Sequence, residues 1–154
     1  MYPQLRIDLS KIKQNLDTVV SVAKQGGCSL MIVTKSFCAD ERIVGEILKN
    51  EYVKYLADSR VKNIASYADK ARKAGKETVL LRLPQMCEIG DVVRFADISL
   101  NSSVETIALL NEEAGRQGRK HKVVLMIDMG DLREGIFFKN EDTIIECARK
   151  LLNQ

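Results

Sequence analysis

The sequence has little of what builds a metal or disulfide site: one histidine and four cysteines in 154 residues. Cys28, Cys38, Cys87 and Cys147 are widely scattered and form no C-x-x-C pair, and His121 is the single imidazole that could join them. A zinc site, or any other metal site, is therefore not expected. A chain of this length can bury a sizeable core, so its stability requires neither disulfides nor a structural metal.

Long apolar runs and blocks of one charge are also missing. No apolar stretch approaches the ~20 residues of a membrane span. The 24 basic and 21 acidic residues are interspersed and give a formal net charge of +3, so nucleic-acid binding is not implied. The sequence runs from Met1 into polar residues without the apolar core of a signal peptide, and unpaired cysteines suit a reducing compartment. We therefore expect a cytoplasmic protein that binds neither nucleic acid nor a membrane.

What the sequence does contain is an alternation of short apolar runs with segments of helical spacing. Parallel strands covered by helices need crossovers of this length, because a tight turn cannot join two parallel neighbours. The predicted fold class is therefore α/β. Periodicity alone does not distinguish an open doubly wound sheet from a (β/α) barrel. The predicted strands are residues 30–34, 53–57, 79–83, 98–100 and 123–129.

Three further local features are predicted. The stretch 5–9 alternates like a short strand, and Ser10 then serves as the N-cap of a helix that ends at Gly26-Gly27. Ser102 and Glu105 have the spacing of a capping box that opens a later helix. No glycine-rich phosphate loop follows the strand at 30–34, which removes the main support for a Rossmann or P-loop protein.

Polar or reactive side chains lie at or just after the C-terminal end of nearly every predicted strand. In a parallel α/β fold these ends share one face, so this is an active-site distribution. Lys35 directly follows an apolar run, where desolvation would favour the neutral amine that attacks an aldehyde. The alternative at each position is the polar start of an ordinary loop. The residues concerned are Lys35, Asp58, Ser59, Arg60, Arg82, Asn101 and Asp128.

A second candidate is the stretch 128–135, in which two glycines surround Arg133. Glycines permit tight backbone paths, and an arginine held there can present a planar, permanently charged fork to a phenolate or a carboxylate. The alternative is an exposed loop arginine paired with Asp131 or Glu134.

Three stretches, in this order, resemble the alanine-racemase-like family of pyridoxal-phosphate-dependent amino-acid racemases. Ile7-Asp8-Leu9 with Asn15 resembles the opening I-D-L…N of that family, Val33-Thr34-Lys35 its V-V-K strand end, and 127–135 its V-D-T-G-M-x-R-x-G segment. The resemblance implies a (β/α) TIM-type barrel that is incomplete here, with about five of eight strand-helix units. Residues 1–154 would be the N-terminal part of this pyridoxal-phosphate-binding domain, with the C-terminal β domain absent.

The same resemblance implies that Lys35 carries pyridoxal 5'-phosphate as a Schiff base and acts as the catalytic base on one face of the substrate Cα. It also implies that Arg133 binds the cofactor's phenolic oxygen and the substrate carboxylate. The full-length protein would then be a homodimeric racemase of a free amino acid. The segments at 35–39, 57–60, 84–88 and 130–135 resemble the ornithine racemase branch, so the expected substrate is ornithine.

The sequence also departs from the family pattern. Ala39 stands where alanine racemases have a tyrosine, and Met126 stands where they often have a lysine; both departures argue against alanine as the substrate. An incomplete barrel predicts unpaired edges at the first and fifth barrel strands. The family's second base, a tyrosine from the C-terminal domain, has no counterpart, so the 154-residue chain alone is expected to be inactive.

Two alternatives stay open. One is a non-catalytic pyridoxal-phosphate-binding protein of the same barrel fold, concerned with cofactor homeostasis. The other is a barrel scaffold without a cofactor, in which Lys35 is merely structural.

Overall fold

A computed structural model describes residues 3–152 of the chain. Strands and helices alternate along it, with two short 3-10 turns at Lys35–Phe37 and Met86–Glu88. The elements are α1 (Leu9–Gln25), β1 (Leu30–Val33), α2 (Glu41–Lys49), β2 (Val53–Asp58), α3 (Val61–Lys73), β3 (Glu77–Leu80), α4 (Ile89–Phe95), β4 (Ile98–Asn101), α5 (Val104–Arg116), β5 (Lys122–Leu125), β6 (Ile127–Asp128), β7 (Ile136–Phe137) and α6 (Glu141–Leu152).

The first five strands form one parallel sheet in chain order, so each strand pairs with the next. A doubly wound sheet reverses its strand order at a switch point, whereas a barrel wall does not. The structure therefore confirms the α/β class and shows part of a (β/α) barrel wall. Within that sheet β1 and β5 are the two edges, as predicted. A separate pair, β6 and β7, continues the chain beyond β5.

The two faces of the sheet differ because only one of them is covered by helices. On the covered face Leu56 and Leu80 have no exposed surface, and they belong to one core cluster with Ile64 of α3. Each such buried leucine stabilises the fold by about 1.5–3 kcal/mol. On the other face Met31 and Val33 are 42% and 37% exposed. That face corresponds to the inside of a barrel.

The predicted strand at 5–9 is wrong, and the helix after it begins earlier than predicted. Asp8, rather than Ser10, is the N-cap of α1: its Oδ1 accepts hydrogen bonds from the amides of Ser10 at 2.9 Å and Lys11 at 3.3 Å. A carboxylate at this position satisfies amides that a helix leaves free in its first turn, which fixes the start at Leu9. The predicted end at Gly26-Gly27 is confirmed.

The predicted capping box of Ser102 and Glu105 is wrong, and the N-cap lies one residue later. Ser103, not Ser102, is the N-cap of α5, and its hydroxyl accepts from the Thr106 amide at 3.2 Å and donates to Glu105 at 2.8 Å. Ser103 has an extended backbone, with φ −136° and ψ 135°, so the helix begins at Val104.

Three predicted strands differ from the observed ones by a single residue at one end, and the other two differ by more. The run 123–129 is divided at Met126, whose amide donates to the Asn101 carbonyl at 2.8 Å while its own carbonyl accepts from Ile136 at 3.0 Å. The chain therefore leaves β4 at this residue and continues beside β7. The strand predicted at 79–83 runs from Glu77 to Leu80, and Arg82 lies beyond it with its side chain donating to the Ser59 carbonyl at 2.8 Å.

Among the helices between residues 3 and 152, none has both the length and the apolar character needed to cross a bilayer.

Candidate functional site

Lys35 opens the first 3-10 turn, and Thr34 alone separates it from the end of β1. Its side chain is exposed, as are those of Met31 and Val33 on the uncovered face of β1. The predicted desolvation of this lysine is therefore wrong for this chain, since β1 is an edge strand and its inner face has no cover. Within residues 3–152 no carboxylate forms an ion pair with Lys35.

Behind the lysine lies a fully buried pair, Thr34 and Asp58, on the helix-covered side. The Thr34 hydroxyl donates to Asp58 Oδ2 at 2.6 Å, and Asn63 Nδ2 lies 3.2 Å from each carboxylate oxygen. The Arg60 amide donates to Asp58 Oδ1 at 2.9 Å. Asp58 thus accepts only from neutral donors. The Tyr67 hydroxyl lies 3.4 Å from the Thr34 hydroxyl, and burial raises the pKa of Tyr67 to about 12, so it stays a neutral phenol.

The turn that carries Lys35 has an unusual backbone. Cys38 and Ala39 are consecutive residues with φ values of 51° and 55°. Residues other than glycine adopt this left-handed backbone conformation at a cost of roughly 1–2 kcal/mol each. The carbonyl of Thr34 accepts from the amides of Phe37 at 3.3 Å and Ala39 at 3.1 Å, and these bonds help to hold the turn. Strain of this kind gathers at functional sites.

Arg82, which follows β3, and Asn101, the last residue of β4, make hydrogen bonds to nearby residues. Arg82 donates to the Ser59 carbonyl at 2.8 Å and forms an ion pair with Glu88. Asn101, fully buried, donates to the carbonyl and hydroxyl of Ser99, both at 3.0 Å. The remaining Asn101 oxygen and the Ser102 hydroxyl are buried and have no partner within the described part of the chain.

The loop between β6 and β7 is organised by Asp128. Its Oδ1 accepts from the amides of Gly130 at 2.8 Å and Leu132 at 3.2 Å, and the Gly130 bond chiefly holds the pKa of this carboxyl below its usual value. Gly135 closes the loop with a φ of 117°, and a Cβ there would lie 2.7 Å from the Asp128 nitrogen. Only glycine fits this position without displacing the backbone.

Arg133 lies in this loop with 72% of its side chain exposed, and its nearest carboxylate, Glu134, is 3.8 Å away. It follows the continuation of β5, whereas Lys35 follows β1 at the opposite edge of the sheet. Four strand spacings of ~4.8 Å separate these edges along the sheet. The structure therefore places both residues on the carboxyl rim without bringing them into contact. In a closed eight-stranded barrel, strands four positions apart face each other across the axis.

Two residues that lie behind the lysine turn were not identified from the sequence. Thr34 was counted as part of an apolar strand, and Tyr67 only as part of a helix. The available signal was a single hydroxyl side chain at the end of the run 30–34, next to the candidate lysine. For metals, the side chains between residues 3 and 152 include no group of three or more potential ligands, and the four cysteines are free thiols.

The family model for the N-terminal domain of alanine racemase matches residues 7–153. The ornithine racemase of Acetoanaerobium sticklandii is 42% identical over 142 residues, which cover 92% of this chain and 38% of that protein. The lysine racemase of Thermotoga maritima is 35% identical over 150 residues, covering 96% of this chain and 41% of that protein. The chain thus spans about two-fifths of the length of these relatives.

A solved structure of PipY from Synechococcus elongatus PCC7942, with pyridoxal phosphate bound, is also similar. The TM-score is 0.66 at 16% identity, with 88% of this chain and 62% of that chain covered. At this identity the likeness shows a shared fold alone.

Proposed function

This chain belongs to the family of alanine racemase N-terminal domains, and from that premise we propose that it is the lysine-bearing part of a pyridoxal-phosphate-dependent amino-acid racemase. The observation that carries the proposal is the 42% identity to an ornithine racemase over 92% of the chain. Residues 1–154 would form the N-terminal part of the barrel domain.

The carboxyl rim offers a donor set that suits pyridoxal phosphate. Lys35 Nζ would hold the cofactor's aldehyde carbon covalently, and the Arg133 guanidinium would bind its phenolic oxygen. The two buried polar atoms without a partner, on Asn101 and Ser102, are further hydrogen-bonding capacity at the same end of β4. When bound, the cofactor supplies an electron sink that stabilises negative charge at the substrate Cα.

The side chains of this chain would perform two tasks in the reaction. Lys35, exposed on the uncovered face, would accept the Cα proton on one side of the substrate. Arg133 is permanently charged, and its ion pair with Glu134 is weak, so its fork is free to bind the substrate carboxylate. Inversion also needs a proton donor on the opposite face. Tyr67 cannot supply that proton because it is 2% exposed and lies on the helix-covered side. We propose that the donor lies in the part of the racemase relatives that this chain does not match.

The proposed substrate is a free basic amino acid, with ornithine first. The two racemase relatives are named for ornithine and lysine, and both of these amino acids carry a second amino group. We further propose a cytoplasmic homodimer for the full-length protein; its free thiols are compatible with a reducing compartment.

A second candidate is a pyridoxal-phosphate-binding protein of the same barrel fold that does not racemise. The PipY structure holds pyridoxal phosphate on the same fold, so cofactor binding has to be tested separately from racemisation. The racemase remains the first candidate since the identities to the ornithine racemase and to PipY are 42% and 16%, respectively.

The experiment is a racemisation assay on the full-length protein with pyridoxal phosphate and L-ornithine, followed by chiral chromatography. We expect D-ornithine to form, Lys35→Ala to abolish its formation, and Lys62→Ala, at an exposed lysine of α3, to leave it unchanged. Cofactor binding without any D-amino acid from ornithine or lysine would favour the second candidate. Failure to bind the cofactor at all would overturn both.

A further inference from the structure

We propose that Thr34 and Asp58 position the turn that presents Lys35, so that their hydrogen bond sets how readily the lysine amine reacts with the cofactor aldehyde. The second half of this statement rests on the proposed function. The first half concerns the backbone and can be tested without cofactor.

Every polar atom of Thr34 is engaged in the turn or in the sheet. Its amide donates to the Ala57 carbonyl at 2.8 Å, which continues the pairing of β1 with β2. Its carbonyl accepts from Phe37 and Ala39, on the far side of Lys35. Its hydroxyl donates to Asp58 Oδ2 at 2.6 Å. The same hydroxyl lies 3.2 Å from the Ala57 carbonyl and 3.4 Å from the Tyr67 hydroxyl, so its bond to Asp58 is the shortest side-chain contact that connects the lysine turn to the core.

Asp58 is itself held firmly. Its carboxylate accepts from the Arg60 amide and from Asn63 Nδ2, both of which belong to the start of α3. It is fully buried and forms no ion pair with any residue from 3 to 152. A buried carboxyl group without an ion pair depends on each of its hydrogen bonds. The Thr34 hydroxyl makes the shortest of these contacts, so the carboxylate and the turn restrain each other.

The orientation of the lysine side chain depends on this turn, in which the Lys35 carbonyl accepts from the Cys38 amide at 3.3 Å. Lys35 is exposed and has no side-chain partner between residues 3 and 152, and the two residues that close its turn, Cys38 and Ala39, have left-handed backbones. A strained turn relaxes when the bonds that hold it weaken. Loss of the Thr34 hydroxyl should therefore let the turn open and let the lysine amine sample many orientations.

The test uses the full-length protein with Thr34→Val, Thr34→Ser and Asp58→Asn. Thr78→Val is a matched control: Thr78 is also fully buried and also donates to a carboxylate, Asp97, at 2.8 Å, but it lies at the opposite end of the sheet. Without cofactor, amide hydrogen exchange at Phe37 and Ala39 should become about tenfold faster in Thr34→Val. It should change less in Asp58→Asn, which keeps one oxygen acceptor, and should stay unchanged in Thr34→Ser and Thr78→Val.

With pyridoxal phosphate, we follow the absorbance of the adduct on Lys35. Thr34→Val should form it about tenfold more slowly and with a shifted midpoint in an absorbance-pH titration, and Thr34→Ser should restore both. A purely structural role for Thr34 predicts that Thr34→Val and Thr78→Val alter adduct formation equally, which would overturn the proposal.

The remaining outcomes separate the two halves. Unchanged amide exchange at residues 37 and 39 in Thr34→Val would overturn the claim that the Thr34 hydroxyl holds the turn. Faster exchange with an unchanged rate of adduct formation would overturn the claim that the turn controls the reactivity of the Lys35 amine. Absence of any Lys35 adduct in the wild-type protein overturns the proposed function and that claim with it, whereas faster exchange in Thr34→Val would still support the hold on the turn.

Discussion

Cationic side chains at the two ends of the parallel sheet differ in their burial and in the contacts they make. At the amino end Lys76 is 4% exposed and donates to the carbonyls of Asn50 at 2.6 Å and Val53 at 2.8 Å. At the carboxyl end Lys35 is exposed and has no ion pair among the described residues, and Arg133 has only a carboxylate 3.8 Å away.

The difference shows where this fold gains stability and where it keeps reactive groups available. At the amino end the cationic side chains contact backbone carbonyls and partly buried carboxylates, and these contacts hold neighbouring strands and helices together. At the carboxyl end Arg82 is held by the Ser59 carbonyl and Glu88, but Lys35 and Arg133 make no comparable contacts and remain free to bind a ligand. In (β/α) barrels the carboxyl ends of the strands carry the chemistry, and the opposite face carries stability. Four predictions test this division, from the largest effect to the smallest.

Asp97→Ala should produce the largest loss of stability. The Asp97 carboxylate lies 3.0 Å from Arg72 and 3.7 Å from Arg119, and accepts from the Thr78 amide at 2.8 Å. Burial raises the pKa of Asp97, but the bonds from Thr78 and Arg72 outweigh this and hold it below its usual value. Asp97 and Arg72 are partly buried, and removing a carboxylate that accepts several hydrogen bonds in such a network costs about 3 kcal/mol. Urea unfolding of Asp97→Ala measures that loss.

Arg133→Ala is the matched substitution at the other end and should change the free energy of unfolding by less than about 0.5 kcal/mol. Equal losses in the two variants would break the comparison, because they would mean that the rim arginine is as structural as Asp97.

Gly135→Ala should cost about 2 kcal/mol or more, since its Cβ would lie 2.7 Å from the Asp128 nitrogen and 2.9 Å from the Ile127 carbonyl carbon. Gly130→Ala is the control: it shares the φ of 117° but has open space around it, so it tests the backbone conformation alone. Thermal unfolding compares the two. A Gly130→Ala loss as large as that of Gly135→Ala would refute the close approach as the cause.

Arg133→Lys should keep the charge and lose the planar fork. If Arg133 binds the substrate carboxylate, kcat/KM of the full-length protein for L-ornithine should fall about tenfold or more, while its thermal stability stays the same. Unchanged kinetics would mean that Arg133 is an ordinary exposed loop residue and does not bind the substrate.

The smallest effect is a pH dependence at the amino end. Burial lowers the pKa of His121, whose ring lies 3.1 Å from the Ala96 carbonyl and 2.8 Å from the Ser99 hydroxyl. The unfolded chain therefore binds this proton before the folded one does, and stability should decrease as the pH falls below about 6.5. Urea unfolding at several pH values should show this decrease in the wild type and lose it in His121→Gln. An identical slope in both proteins would assign it to other groups.

The sequence alone could predict the elements built from local patterns. The five strands of the main sheet, their order of occurrence and the polar residues at their carboxyl ends all follow from short apolar runs and the residues after them. It could not predict which runs find a partner. Residues 5–9 alternate like a strand but pair with none of the described strands, and the division at Met126 depends on Ile136, ten positions later.

The site shows the same limit. Lys35 and Arg133 could be selected from the sequence because each lies in an informative segment. The exposure of Lys35 could not be predicted, because it depends on whether another element covers the inner face of β1. The Thr34–Asp58 bond could not be predicted either. It joins residues 24 positions apart, and only the pairing of β1 with β2 brings them together.

The most direct test of the central claim is to identify the lysine that reacts with the cofactor. Full-length protein is incubated with pyridoxal phosphate, reduced with borohydride and analysed by peptide mapping. The label should be on Lys35, and Lys76, whose amine is buried and bound to two carbonyls, should carry none. A label spread over exposed lysines, or absent from Lys35, would contradict the account.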